Sequence, residues 1–250
     1  MQSIIVIPAR LASTRLPNKP LADIAGVPMI VRVWHRAKAS GVGPVLVAAA
    51  ESEIAATIER AGGVAVLTDP ALASGSDRIF HALQAYDGDG RFDVVVNLQG
   101  DLPDIDPHDI RRVVETLVSS GADIATLAAP IDDPADYDNP NVVKPVVAWD
   151  SGGQSGRALY FTRARAPAGE GVLFHHVGIY AYRRDALARF VGLAPSPLER
   201  REKLEQLRAL EAGMTIAVAR VERVPLSVDT PEDLARARAA LAEAEGQQHR

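Results

Sequence analysis

"SIIVIPARLASTRLPNKPL", residues 3–21, decides how the rest of the chain is read. "SIIVI" (3–7) is the short apolar run of a strand buried on both faces. The loop behind it cannot become a helix, because Pro8, Pro17 and Pro20 interrupt it. It carries Arg10, Arg15 and Lys19, and no acid precedes Asp23. In open α/β sheets, ligands gather outside the carboxyl ends of the strands, and this loop leaves the first strand at such an end. Three cations and several backbone N–H groups would there cradle a polyphosphate. The competing reading is a solvated loop whose arginines pair with surface acids. The spacing matches neither G-x-x-x-x-G-K-[ST] nor G-x-G-x-x-G.

Outward from this stretch, apolar runs alternate with helical patterns. "PVLVAAA" (44–50), "VAVL" (64–67) and "DVVVNL" (93–98) read as further strands buried on both faces. Between them, 28–40, 52–62 and 77–86 space their apolar residues as helices do, with Pro28 at a first turn and Gly41 and Gly62 after the ends. Repeated strand-then-helix order predicts right-handed βαβ units and a mainly parallel sheet. A helix over 107–120 leads to a strand over 123–129. Beyond residue 130, a turn-rich loop precedes "VVKPVVAW", "RALYFT" and "VGIYAYR", strands without intervening helices that predict an antiparallel or mixed extension. Helices are expected at about 183–191 and 199–212, then a strand over 214–221. A last helix has Thr230 as cap and Pro231 in its first turn, and "GQQHR" (246–250) is expected to fray. One α/β domain results, with about 1–130 and 131–228 as its halves and 229–250 as a C-terminal helix.

Composition limits the function. The chain has 250 residues, 47% hydrophobic and 24% charged, no cysteine and a net charge of −5. That size supports a core without staples, and the absence of cysteine excludes disulfides and thiolate metal sites. A net negative chain is a poor general binder of nucleic acid. No secretory signal or membrane-length apolar run is seen, so a cytoplasmic protein without membrane or nucleic-acid partners is expected.

Three further places carry chemistry. In "ALASGSDRIF" (71–80), Ser76 or Asp77 reads as a helix N-cap, while the small residues could also admit a flat base, with Arg78 near phosphates. In "NLQGDLP" (97–103), Asp101 lies just past a buried strand, where it either caps a turn or holds a divalent cation. Asp229 in "SVDTPEDL" has the same two readings, as part of a cap or as a second carboxylate for a metal. His175 and His176 stay open between structural and chemical roles.

Together, "IPARLASTRLPNKPL", "GSDRI", "NLQGDLP", "NPNVVK" (139–144), "ALYFTR" (158–163), "HVGIYAYR" (176–183), "PLERREKLEQLRALEAG" (197–213) and "VDTPEDL" (228–234) resemble the 3-deoxy-manno-octulosonate (KDO) cytidylyltransferase family. The resemblance runs in order from residue 4 to about 240. It implies a Rossmann-like nucleotidyltransferase, usually a homodimer, that uses CTP and Mg²⁺ to activate KDO for lipopolysaccharide. By motif position it implies a triphosphate site at Arg10, Ser13, Arg15 and Lys19, with Arg10, Lys19 and Asp101 central to catalysis. Ala73, Ser74 and Arg78 would lie on the cytidine side, and Asp101 and Asp229 would hold Mg²⁺. Gln99, Arg163, His176, Tyr180, Glu205 and Gln206 would face the sugar. The alternatives are a cytidylyltransferase for sialic acid or an eight-carbon amino sugar, or an inactive nucleotide-binding relative.

Two stretches depart from the family pattern. Leu102 stands where an acid is common, and "VAAAESE" (47–53) lacks the carboxylate expected near position 50, with Glu51 as its nearest substitute.

Overall fold

The computed structural model describes residues 1–248. Eleven strands are described: β1 (Ser3–Ala9), β2 (Asp23–Ile24), β3 (Val27–Pro28), β4 (Val45–Ala49), β5 (Val64–Leu67), β6 (Val94–Leu98), β7 (Ile124–Pro130), β8 (Lys144–Trp149), β9 (Ser155–Thr162), β10 (Phe174–Arg183) and β11 (Ile216–Arg220). The helices are α1 (Met29–Ala39), α2 (Ser52–Arg60), α3 (Gly75–Tyr86), α4 (Pro107–Ser120), α5 (Arg184–Val191), α6 (Pro197–Glu202), α7 (Gln206–Glu211) and α8 (Pro231–Gln248). The frayed tail expected over 246–250 falls partly on α8, and residues 249 and 250 lie outside the described residues.

The chain forms two compact units. The first contains Met1–Asp93, Asn97–Ile110 and the chain from Pro225 onward. Its strands β5, β4 and β1 lie side by side in that order. β1 runs parallel to β4 (Ile5 opposite Val45) and β4 parallel to β5 (Leu46 opposite Val64). Ile4, Ile5, Val6 and Ile7 are fully buried, as a two-sided apolar strand demands. α1 turns Met29, Ile30, Val33, Trp34 and Ala37 inward, and Gly41 just beyond its end takes φ +66°, a value open to glycine at little cost. β5 departs from the expectation of burial on both faces. It ends the strand order, and Val64 and Leu67 are exposed at that edge.

The second unit contains Val94–Val96 and Arg111–Val224. Here β10 is antiparallel to β7, β11 parallel to β7, and β11–β9 and β9–β8 are antiparallel pairs, the mixed extension that the helix-free run predicts. A bulge between Val177 and Tyr180 interrupts β10. The helix expected over 199–212 is two helices, because Lys203 closes α6 in the left-handed region at φ +57°. The β2–β3 hairpin is a further element that the apolar pattern does not announce. Its two-residue turn puts Ala25 at φ 49° and Gly26 at φ 78°.

Candidate active site

The loop after β1 is held before it carries any chemistry. Glu51, just past β4, accepts the Leu11 N–H at 2.9 Å, and the Ser13 hydroxyl accepts that of Leu16 at 3.4 Å. Asn18 at φ 57° then starts a tight turn over Lys19–Leu21, closed by Leu21 N–H to Asn18 and Ala22 N–H to Lys19. Pro20 is buried, so Lys19 emerges from a fixed base.

Asp101 and Asp229 are 128 positions apart in sequence (229 − 101), yet the backbone brings them together. The Val228 N–H donates to the Asp101 carbonyl at 3.0 Å, and the Leu226 N–H to the Asp104 carboxylate at 2.7 Å. The segment entering α8 is thereby pinned to the loop leaving β6. The Lys19 ammonium then donates to both carboxylates, at 2.8 Å to Asp101 and 2.9 Å to Asp229. Arg15, exposed, reaches Asp229 at 3.3 Å. Burial disfavours the Lys19 charge, but the two carboxylates overcome it and raise its pKa above the ordinary value. Asp229 joins the α8 cap only through its backbone N–H. The box itself is Thr230 with Asp233, whose carboxylate accepts the N–H groups of Asp229 and Thr230.

These groups border a cleft of about 200 Å³ lined by Pro8, Arg10, Ser13, Lys19, Ser74, Gly75, Arg78, Gln99, Gly100 and Asp101, among others. Arg10 makes no ion pair among the described residues. Gln99 donates to Asn97 at 3.1 Å. Ala73 is exposed and does not line the cleft. The cap of α3 is Ser74, not Ser76 or Asp77. Asp77, three residues on, returns its carboxylate to the Ser74 N–H in a capping box. Arg78 borders the cleft but is buried, and its guanidinium donates to the Thr68 hydroxyl at 2.6 Å and to the carbonyls of Asp69 and Pro70. It ties the helix start to the chain after β5.

Two carboxylates converging on one cation also suit a divalent ion. Mg²⁺ commonly takes one or two carboxylates and completes its shell with phosphate oxygens and water. No group of three or more His, Asp or Glu side chains able to hold a metal occurs among the described residues. Asp101 and Asp229 would therefore hold such an ion together with a phosphate ligand.

Within the second unit, the residues expected on the sugar side fall into two groups. His176 and Tyr180 lie on either side of the β10 bulge with rings 5.4 Å apart, and Phe161 meets His176 edge-on at 5.2 Å. Thr126 Oγ1 and His176 Nε2 are 2.9 Å apart. Burial, then the neighbouring His175, lowers the His176 pKa to about 3, and burial above all raises that of Tyr180 well above its usual value. Glu205 and Gln206 begin α7, with Gln206 buried. That helix is anchored by Arg208, which grips Glu199 through two contacts of 2.6 and 2.8 Å and lies 3.8 Å from Glu205. Arg163 follows β9. Its side chain donates to the carbonyls of Glu202 (2.8 Å), Pro140 (2.9 Å) and Lys203 (3.5 Å). A guanidinium has five N–H groups, so one proton on each terminal nitrogen is left for a ligand.

Glu202 is a further residue of this region. Its carboxylate accepts the Thr162 hydroxyl and the Arg163 N–H, both at 2.9 Å, and so fixes the end of β9. In the run "ERRE" it reads as one more solvated charge, and nothing in the sequence marks it out. Leu102 is buried, so the departure from an acid places a core residue there.

A family model described as cytidylyltransferase matches residues 4–216. The chain belongs to the cytidylyltransferase family. It is 64% identical over 239 residues to the 3-deoxy-manno-octulosonate cytidylyltransferase of Parvibaculum lavamentivorans, covering 96% of this chain and 92% of the relative. The enzyme of that name from Rhodospirillum centenum is 63% identical over 238 residues, covering 95% and 93%. Among solved structures, a CMP:2-keto-3-deoxy-manno-octonic acid synthetase complexed with CTP superposes with a TM-score of 0.90 at 37% identity, over 98% of this cytidylyltransferase and 100% of that chain. A nucleotidyl transferase from Methanothermobacter thermautotroptrophicus, at 15% identity and TM-score 0.64, shares the fold.

Proposed function

We propose that this cytidylyltransferase converts CTP and 3-deoxy-D-manno-octulosonate to the CMP-sugar and diphosphate. The observation that carries the nucleotidyl-transfer reading is the Lys19 ammonium held between Asp101 and Asp229 beside the basic loop. The choice of sugar is supported by relatives above 60% identity along nearly their whole length. The anomeric hydroxyl of the sugar attacks the α-phosphorus of CTP and gives up its proton to water, the bond from the α-phosphorus to the oxygen bridging it to the β-phosphate breaks, and diphosphate leaves with that electron pair.

Transfer of this kind rests on positioning and on charge stabilisation more than on a strong nucleophile. Arg10, Ser13, Arg15 and Lys19 bind the triphosphate, with Arg10 the cation best able to turn wholly toward it. Ser74 and Gly75 form the wall on the nucleotide side, and Arg78 keeps that wall in place through Thr68. Asp101 and Asp229 would hold Mg²⁺, which would neutralise phosphate charge. Arg163 takes the sugar carboxylate with its two remaining N–H groups. His176, neutral near pH 7, offers hydrogen bonding without charge, and Gln99, Tyr180, Glu205 and Gln206 contact hydroxyls. The protein works as a homodimer in the cytoplasm, and its product supplies lipopolysaccharide synthesis. No helix among the described residues is long and apolar enough to cross a membrane.

The test is diphosphate release with CTP, Mg²⁺ and fresh KDO, against ATP, GTP and UTP and with sialic acid as alternative acceptor. Release with CTP and KDO alone is expected. Release with sialic acid instead moves the acceptor and leaves the triphosphate site standing. Binding of CTP without release from any acceptor overturns the reading as an enzyme.

A further inference from the structure

The "NPNVVK" stretch contains a charge that the reaction does not use. Lys144, the first residue of β8, is fully buried. Its ammonium donates to three backbone carbonyls, Val142 at 2.7 Å, Asn139 at 2.8 Å and Arg163 at 3.0 Å. An ammonium has three protons and accepts nothing, so these contacts satisfy it completely without a carboxylate. Burying a cation is costly even when it is hydrogen-bonded. A leucine or methionine would fill the space without a buried charge but would take the donor from all three carbonyls, so the reason for the charge lies in what those carbonyls hold.

The three carbonyls supply one. Asn139 and Val142 bracket Pro140, and the Pro140 carbonyl is what the Arg163 guanidinium grips at 2.9 Å. The third carbonyl belongs to Arg163 itself. Lys144 thus holds Arg163 from both ends: directly at its backbone, and indirectly through the loop that orients its head. Glu202 completes the clamp by accepting the Arg163 N–H and, through its carbonyl, the Arg163 Nε proton. With the loop slack, the guanidinium would lose one of its three carbonyl acceptors and be held by the Glu202 and Lys203 carbonyls alone, free to tilt about them.

We infer that Lys144 is a positioning residue for the sugar acid, acting through Arg163 and the Asn139–Val142 loop rather than by touching substrate. The inference rests on the reading of Arg163 as the carboxylate ligand, and its test separates the two. Lys144→Met keeps an unbranched apolar stem, one atom shorter, and removes all three donors. Lys144→Gln keeps two N–H donors on a shorter arm. Misplacing a binding group by about 1 Å commonly costs on the order of a hundredfold. Lys144→Met is therefore expected to raise KM for KDO at least about tenfold, while KM for CTP moves less than about twofold, with Lys144→Gln in between.

A merely structural lysine would damage both constants together. In the double variant Lys144→Met/Arg163→Ala, KM for KDO is expected to equal that of Arg163→Ala alone, because two changes acting through one group do not add. Equal rises in both KM values, no rise in either, or additive effects in the double variant overturn the inference. A rise in KM for KDO with Arg163→Ala but not with Lys144→Met overturns the inference and spares the reading beneath it. No effect of Arg163→Ala overturns both. If Lys144→Met does not fold, Lys144→Gln carries the same comparisons.

Discussion

At the scale of residues, the site turns on one ammonium shared by two acids. Lys19 is only partly exposed, and removing it leaves Asp101 and Asp229 close together with no shared cation. Breaking ion pairs that are partly exposed costs about 1 kcal/mol or less, and Arg15 still reaches Asp229. Lys19→Met is accordingly expected to lower unfolding stability in urea by that amount, and Mg²⁺ should restore more stability to the variant than it adds to the parent. Equal gains from Mg²⁺ in both proteins would remove Asp101 and Asp229 as its ligands. Because the folded pKa of Lys19 is raised, its contribution is fully present below the unfolded value and is lost only as pH rises through the folded one. Stability from this contact should thus be flat from pH 6 to 9. His176 behaves oppositely. Its folded pKa of about 3 lies below the ordinary 6.5, so between these values the unfolded chain binds the extra proton. Its share of stability is intact above pH 6.5 and falls as pH drops toward 3. His176→Asn should flatten the decline of the thermal midpoint across that window, and an unchanged slope would contradict the burial of a neutral ring.

At the scale of elements, close backbone approach decides what β8 and β9 tolerate. A Cβ on Gly156 would sit 2.5 Å from the Ala148 carbonyl oxygen and 2.8 Å from the Trp149 Cα, neither of which is a flexible side-chain end. Overpacking of this kind costs about 1–3 kcal/mol. Gly156→Ala should show it as a lower urea midpoint with unchanged m-value, and a midpoint equal to the parent's would mean that the hairpin yields freely. Elements of this sort were unevenly legible. The buried parallel strands announce themselves because both faces must be apolar, and α8 does so through Thr230 and Pro231. The β2–β3 hairpin stays hidden because "DIAG" is too short to alternate and Ala25 takes a conformation that alanine normally avoids. The break between α6 and α7 stays hidden for a similar reason: lysine is a good helix former, yet Lys203 ends the helix.

At the scale of the whole molecule, the positions of chemistry at strand ends could be read from sequence, but the partnerships could not. Lys19 meets acids 82 and 210 positions away, and no spacing rule reaches that far. Arg78, expected on the nucleotide side, borders the cleft while its guanidinium donates to Thr68, Asp69 and Pro70, contacts that no spacing announces. The same contrast between local and global charge yields a last prediction. The chain carries −5 overall, which opposes an incoming triphosphate, while Arg10, Lys19 and Arg78 line the cleft. Salt decides between the two fields by distance. The screening length is about 10 Å at 0.1 M and about 3 Å at 1 M, so at 0.1 M charges spread over the far surface are already muted while contacts inside the cleft are not. Raising salt further then acts mainly on those contacts. Kd for CTP, measured by calorimetry without metal, should rise at least about fivefold between 0.1 and 1 M KCl. Arg10→Gln should weaken that dependence, whereas Arg32→Gln, whose guanidinium is bound to the carbonyls of Ile24 and Ala25, should leave it unchanged. Equal salt slopes in all three proteins would mean that the basic loop is a solvated surface and that the triphosphate binds elsewhere.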